Sequence, residues 1–210
     1  MKKILALAFL TVLSVSPLWA DELVAVQPDE LGPNQQWIER VEGTLGAPAS
    51  SDASSALNLG FGGGLAIGYR LEPHLSLSVA SGYYQYAVKN IPSGNTGGYF
   101  SYVPLETVIN YNFGAGSFRP YVSFGIGAAF NTYSLTSSVQ GSSLQTNVYE
   151  TSLFLSPAVG FLQVISPKAA IFVEGRVDMD FRSNGGSVGM SNGTPSVFIP
   201  IQAGLTFFVI

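Results

Sequence analysis

The 210-residue sequence predicts an all-β chain, an eight-stranded antiparallel up-and-down transmembrane β-barrel. Three observations lead there. The composition is 47% hydrophobic and only 10% charged, yet beyond the first 20 residues no stretch holds the ~20 predominantly apolar residues that a helical crossing needs. A closed sheet is the other way to satisfy every backbone group in hydrocarbon, and it asks for an apolar residue only at alternate positions. Eight successive blocks show that alternation, and the connections between them are by turns short and long.

Residues 1–20 precede the barrel. Lys2 and Lys3, the apolar run Ile4 to Val15 and the ending Pro17-Leu18-Trp19-Ala20 read as a secretory signal peptide with Ala20 as the last residue before cleavage. The apolar run is too short for an uncleaved anchor to span a bilayer. Without the leader seven basic and 13 acidic residues remain, a net charge of −6, so nucleic acid is not expected as a partner. The absence of cysteine excludes a disulfide scaffold, a thiolate metal site and a lipid-modified N-terminal cysteine. Residues 21–35 (DELVAVQPDELGPNQ), with four acids and two prolines, are expected to form a loose periplasmic segment.

The barrel is expected to occupy residues 36–210. A short first block sets Val41, Gly43 and Leu45 against Arg40, Glu42 and Thr44. In the second, Leu57, Leu59, Phe61, Leu65, Ile67, Tyr69 and Leu71 share one parity, while asparagine, glycine, alanine and Arg70 take the other. The third sets Leu75, Leu77 and Val79 against Ser76, Ser78 and Ala80; the fourth sets Leu105, Thr107, Ile109, Tyr111 and Phe113 against Glu106, Val108, Asn110 and Asn112. In the fifth, Val122 to Phe130 alternate with Ser123, Gly125, Gly127, Ala129 and Asn131, and in the sixth Leu153, Leu155, Val159 and Phe161 oppose Ser152, Ser156 and Gly160. The seventh is the clearest, Ile171, Val173, Val177, Met179 and Phe181 against Glu174, Arg176, Asp178, Asp180 and Arg182. The last sets Ile199, Ile201, Ala203, Leu205, Phe207 and Val209 against Pro200, Gln202, Gly204, Thr206 and Phe208.

The connections Glu72–His74, Gly114–Ser117 and Ser166–Lys168 are tight turns, whereas Gly46–Ala56, Asn90–Gly98, Thr136–Val148 and Asn184–Pro195 are long loops rich in Ser, Gly and Asn. Short turns on one side and long loops on the other suit a membrane barrel with both chain ends on the turn side, and a soluble sandwich has no reason for them. Tyr83, Tyr84, Tyr86, Tyr99, Tyr102, Tyr133 and Tyr149 gather toward the loop side and Trp37, Tyr69, Tyr111, Tyr121 and Phe207 toward the turn side. Rings from both groups are expected to form interfacial belts, Tyr121 excepted, since it has the parity of the lumen.

The last block carries the pattern Gln202-x-Gly204-x-x-Phe207-x-Val209, with Val209 in place of a final aromatic and Ile210 after it. It is similar to the C-terminal assembly signal of bacterial outer-membrane barrels. With the leader and the eight blocks, it makes residues 36–210 resemble the small OmpA/OmpX-like family of outer-membrane barrel domains. The resemblance implies a Gram-negative outer membrane, with both termini periplasmic, and partners in membrane lipid, lipopolysaccharide, the barrel-assembly machinery and an extracellular surface ligand.

Eight strands leave a bore just wide enough for side chains to fill. The inward set is expected to include Arg40, Glu42, Glu106, Glu174, Arg176, Asp178 and Arg182, with Glu150 as a further candidate, beside the bare glycine walls of the second and fifth strands. Charges removed from water must pair or become neutral, so a plug of crossed ion pairs is expected, centred on Arg176 between Glu174 and Asp178 and facing Glu42 and Glu106. The resemblance also admits a narrow gate formed by re-pairing of these charges.

No catalytic site, metal or cofactor is expected. Gly189-Met190-Ser191-Asn192-Gly193 fits G-x-S-x-G, but that motif needs a strand-to-helix elbow and a later histidine, and the only histidine is His74, far upstream in a tight turn. Asp178 and Asp180 could suggest a metal pair, yet Arg176 and Arg182 flank them and favour salt bridges. Gly60-Phe61-Gly62-Gly63-Gly64 lies inside an alternating block with no helix to follow, unlike a phosphate loop. Asn192-Gly193-Thr194 matches a glycosylation pattern of frequent chance occurrence.

Two function classes follow. The first is a structural or surface-interaction protein whose four loops contain only one charge, Asp52, which disfavours a partner held by salt bridges. The second is a narrow pore, or a conduit for small hydrophobic molecules leaving sideways. Pro104, Pro157 and Pro200 each remove a ladder donor; a lateral gap is one consequence and a simple break in register the other.

Overall fold

The computed structural model describes residues 37–89, 95–114, 116–139, 142–182 and 195–209. The expected leader, the N-terminal segment and the motifs within residues 189–194 lie outside them. The chain forms strands β1 (Trp37–Pro48), β2 (Leu57–Arg70), β3 (Leu75–Val88), β4 (Asn95–Asn112), β5 (Phe118–Val139), β6 (Ser142–Ser166), β7 (Ala169–Arg176), β8 (Asp178–Phe181) and β9 (Ser196–Val209), with one short helix, α1 (Ser51–Ala56). From β1 to β7 neighbours in sequence pair antiparallel, β7 and β8 each lie between β6 and β9, and β1 also pairs with β9 from Trp37↔Val209 to Pro48↔Phe198, so the sheet closes on itself. Closure leaves no open edge, and that is what permits a sheet in lipid.

β7 and β8 together form the seventh stave, interrupted at Val177. The cause lies in two prolines. The register puts Pro157 of β6 opposite Val177 and Pro200 of β9 opposite Arg176, and neither can donate to the ladder. The register nevertheless continues unchanged, from Ala158↔Arg176 to Leu155↔Met179, and Val177 still donates its N–H to the carbonyl of Pro157 at 2.9 Å. Pro104↔Ala129, Pro157↔Phe124 and Pro200↔Gly46 likewise sit within continuous runs. The expected register breaks are therefore absent; one missing N–H weakens a ladder locally while both flanking pairs hold the strands aligned.

Alternation sorts the side chains as expected along most strands. Leu45, Phe61, Leu65, Leu105, Ile126, Leu153 and Ile201 stand on the outer wall, half or more exposed, a continuous apolar surface far beyond what a water-soluble chain presents. Near the turns, Trp37 meets Tyr69 edge-on at 5.4 Å between ring centres, Tyr111 meets Phe113 at 5.3 Å, and Phe118 packs on Phe161 at 5.5 Å.

Three expectations are corrected. Leu57 is not outward: it is 1% exposed, because an irregularity between Leu57 and Gly60 inserts a residue and flips the parity above it. Gly46–Ala56 is not an open loop. β1 runs to Pro48 and α1 follows, pinned by backbone bonds from Ala49 to Val197 and from Lys89 to Ala56, with Ala53 buried against the inner aromatic cluster. Thr136–Val148 is mostly a continuation of β5 and β6, paired up to Val139↔Ser142. Its alternation is invisible in sequence because neither face meets lipid, while Ser, Thr and Gln bond across the strands, as Gln145 does to the Ser134 hydroxyl at 2.7 Å.

Candidate functional site in the barrel lumen

Even-numbered residues of β7 and β8 climb the inner wall and set the order of the contents. Three tiers result, each built on one arginine. Lowest, toward the turns, Arg40 of β1 donates to the Tyr121 hydroxyl at 3.1 Å, lies 3.7 Å from Glu174 and sits over the ring of Phe172 with its guanidinium carbon 3.8 Å from the centre. Ser123 donates to Glu174 at 3.4 Å.

The middle tier belongs to Arg176. Its Nε and Nη2 grip both carboxylate oxygens of Asp178 at 2.6 and 3.1 Å, and its Nη1 reaches Glu106 at 2.9 Å. Ser156 also bonds Glu106, and Tyr102 donates to Asp178 at 2.7 Å. This guanidinium is balanced by two carboxylates, each held by a further hydroxyl, which is how buried charges are tolerated. Above it, Arg182 bonds Asp180 and the Tyr133 hydroxyl, and Asp180 is also bonded by Ser152, to which Asn131 donates at 2.8 Å.

Among and above these tiers lies an aromatic plug that the sequence reading missed. Tyr84, Tyr86, Phe100, Tyr102, Tyr133, Phe154 and Phe198 are all buried inside the bore. Tyr84 stacks on Tyr102 at 4.9 Å, Tyr86 meets Phe198 at 4.8 Å and Phe100 meets Tyr133 at 4.8 Å. Arg176 lies over Tyr84 and Phe154, and Arg182 over Phe100 and Tyr133, so each cation faces rings as well as carboxylates. Ala53 and Leu57 complete the cluster at the loop end. Tyr84, Tyr86, Tyr102 and Tyr133 thus leave the expected loop-side belt, while Tyr83 and Tyr149 stay exposed. Their parity with Ser76 and Ser78 on β3, or with Glu106 on β4, was the available signal.

Glycine makes room for the rings. A Cβ at Gly60 would stand 2.5 Å from the Tyr86 ring, and one at Gly62 would stand 2.5 Å from both the Tyr84 ring and the Tyr83 carbonyl. The glycine run of β2 is the wall on which the tyrosines lie, not a phosphate loop.

The expected charge set is therefore divided among tiers. Arg176 holds Glu106 and Asp178, whereas Glu174 lies beside Arg40, and Glu42 accepts from the Tyr84 hydroxyl at 3.0 Å. Asp180 is bound to Arg182, so the aspartate pair is shared between two arginines. Glu150 has a buried Oε1 without a hydrogen-bond partner. The described bore holds a cavity of about 20 Å³ in the middle beside Glu42, Glu106 and Arg176, and another of about 50 Å³ at the turn end. The first has room for about one water.

Gln202 of the C-terminal pattern points inward and donates to Tyr84 at 3.1 Å, and Gly204 lies against the ring of Phe172. Phe207 and Val209 face outward, 38% and 41% exposed. His74 sits in the β2–β3 turn, its Nδ1 2.9 Å from the Asn112 carbonyl, at the opposite end from the loops. Among the described residues no group of three or more His, Cys, Asp or Glu could hold a metal.

A closed ring of eight staves with an apolar outer wall and charges drawn inside defines an integral outer-membrane β-barrel. The family described as outer membrane protein beta-barrel domain matches residues 5–197, and the chain belongs to it. Among solved structures it is similar to neisserial surface protein A, with a TM-score of 0.55 and 19% identity over 82% of this chain and 97% of that one. It is also similar to a major outer membrane protein from Thermus thermophilus, with a TM-score of 0.52 and 15% identity over 80% and 98%. At these identities the likeness is one of fold. No protein with a curated description matches the sequence.

Proposed function

We propose that the protein is a non-conducting outer-membrane anchor that presents a paired β5–β6 hairpin and the α1-covered rim for surface contact, with no catalytic role. The observation that carries this reading is the filled bore, in which three arginine tiers and seven buried rings occupy the described interior. Both termini and the short turns face the periplasm in this reading, as the short-turn rule for such barrels supports. Membrane lipid and lipopolysaccharide would cover the outer wall, and the assembly machinery would engage Phe207 and Val209 on the last strand. A surface ligand would be met through hydroxyl, amide and apolar groups, since exposed Leu144, Val148 and Tyr149 line the hairpin.

The runner-up, a lateral conduit, would need the strands to part; pairing is interrupted between β3 and β4 beside Pro104 and at Val177 beside Pro157 and Pro200, but the register resumes unshifted past each proline and the other side of each stays paired. Planar-bilayer recording of the purified mature chain tests the leading reading. It is expected to show no steady current; a stable nanosiemens conductance would overturn it.

A further inference from the structure

Lipid-facing walls carry few charges, and among the described strand residues Glu39 of β1 is the one charged side chain exposed on the outer wall. The register sets it between Ile67 of β2 and Phe207 of β9, one outward step above the edge-on pair of Trp37 and Tyr69. A carboxylate held against the hydrocarbon is costly and marks a place where a cation meets it. Residues 21–36, which lead into β1, contain no lysine, arginine or histidine, so that segment has no counter-charge to offer.

The matching charge stands on the other flank of β9. Phe207 pairs with Glu39 on one side and with Ala169 of β7 on the other, about 10 Å apart across two strand spacings. Lys168, exposed in the β6–β7 turn, directly precedes Ala169. Among the described residues neither Glu39 nor Lys168 has an ion-pair partner. Acid and base therefore stand at the same end of the barrel, on opposite sides of its last strand.

We propose that the β1–β9–β7 face is the interface of a homodimer, with a second copy of this chain in the same membrane related by a two-fold axis along the membrane normal. Such an axis keeps every residue at its own end and exchanges the flanks, so β1 of one copy lies against β7 of the other. Glu39 then meets the partner's Lys168, twice over, in a low-dielectric setting where the pair is stronger than at a watery surface. The same two flanks admit close approach. A Cβ built at Gly43 of β1 or at Gly175 of β7 meets nothing within 4 Å, while Leu45 beside the first notch is 72% exposed. In lipid, association rests on close packing at small residues, and a bare lipid coat has no need of such notches or of a matched pair of charges. This partner is additional to whatever the rim meets.

The mature chain, free of cysteine, is suited to cross-linking in lipid vesicles at low protein-to-lipid ratio. Chains carrying E39C and chains carrying K168C, oxidised together, are expected to give several-fold more covalent dimer than either chain alone. Reversal of one charge, by E39K or by K168E, should lower the dimerisation constant about tenfold in the same vesicles, and E39K/K168E should restore it; the gel shift on heating checks that each chain is folded. Mixed cross-linking no higher than in either chain alone, or a double reversal no better than the single ones, overturns the proposal. So does a parent chain that stays monomeric while E39Q releases co-purified phosphatidylethanolamine, because a lipid amine would then be the cation that Glu39 meets.

Discussion

Arg176 is the residue on which the middle of the bore turns. Replacing it with methionine leaves Glu106 and Asp178 buried without their cation, and removal of one partner of a buried pair costs about 3–5 kcal/mol. The expected outcome for R176M is a drop of that size in unfolding free energy, read from urea titration in detergent. The triple variant R176M/E106Q/D178N should recover much of the loss, because no charge is then stranded. The charged residues of this network were legible from parity alone, since Glu106, Glu174, Arg176 and Asp178 oppose unmistakably apolar neighbours. Their pairing was not. Which acid each arginine takes depends on height in the bore, and height follows from inter-strand register, which the alternation of one strand does not encode. Tyrosine hid for a different reason. Its ring is as stable at a membrane interface as in a packed interior, so the count near the loops suggested a belt where Tyr84 and Tyr102 form a stack.

At the level of elements, β5 and β6 are the outliers, with 22 and 25 residues where about 9 to 11 suffice to cross. Roughly half of each therefore stands clear of the hydrocarbon as a two-stranded ribbon. Replacing residues 136–147 by a two-residue Asn-Gly turn should leave the heat-dependent gel shift intact, because the lower barrel does not depend on the ribbon. On whole cells the parent chain is expected to be cut in this ribbon by added protease and the variant to be spared; loss of the gel shift instead would mean that the ribbon supports the fold. The ribbon was illegible as strand because periodicity reports a difference between two environments, and here both faces meet water. α1 was illegible too, since six residues are too few for a helical period to emerge.

On the scale of the whole molecule, the outward residues were the most readable feature, and the reason is physical. Lipid imposes one rule on the staves, so Leu65, Ile109, Ile126 and Leu205 all repeat it, and Leu57 departs from it only past the irregularity in β2. The end of the chain follows the same rule while also closing the ring. The variant F207A/V209A removes two outward groups from β9 without touching the bore, so the folded barrel should keep its unfolding free energy within about 1 kcal/mol. Its rate of appearance in the outer membrane of expressing cells should fall several-fold; an unchanged rate would show that these two side chains are not read during assembly.

The seam between Trp37 and Val209 joins the first and the last of the described residues. No partial product emerging from export can complete its hydrogen bonding, because the first strand waits for the last to be synthesised. Every intermediate therefore carries two raw margins, each able to capture a stray strand, through the whole aqueous transit. The chain must be kept from stray pairing until its final residues arrive, so its time of greatest danger falls before the ring closes.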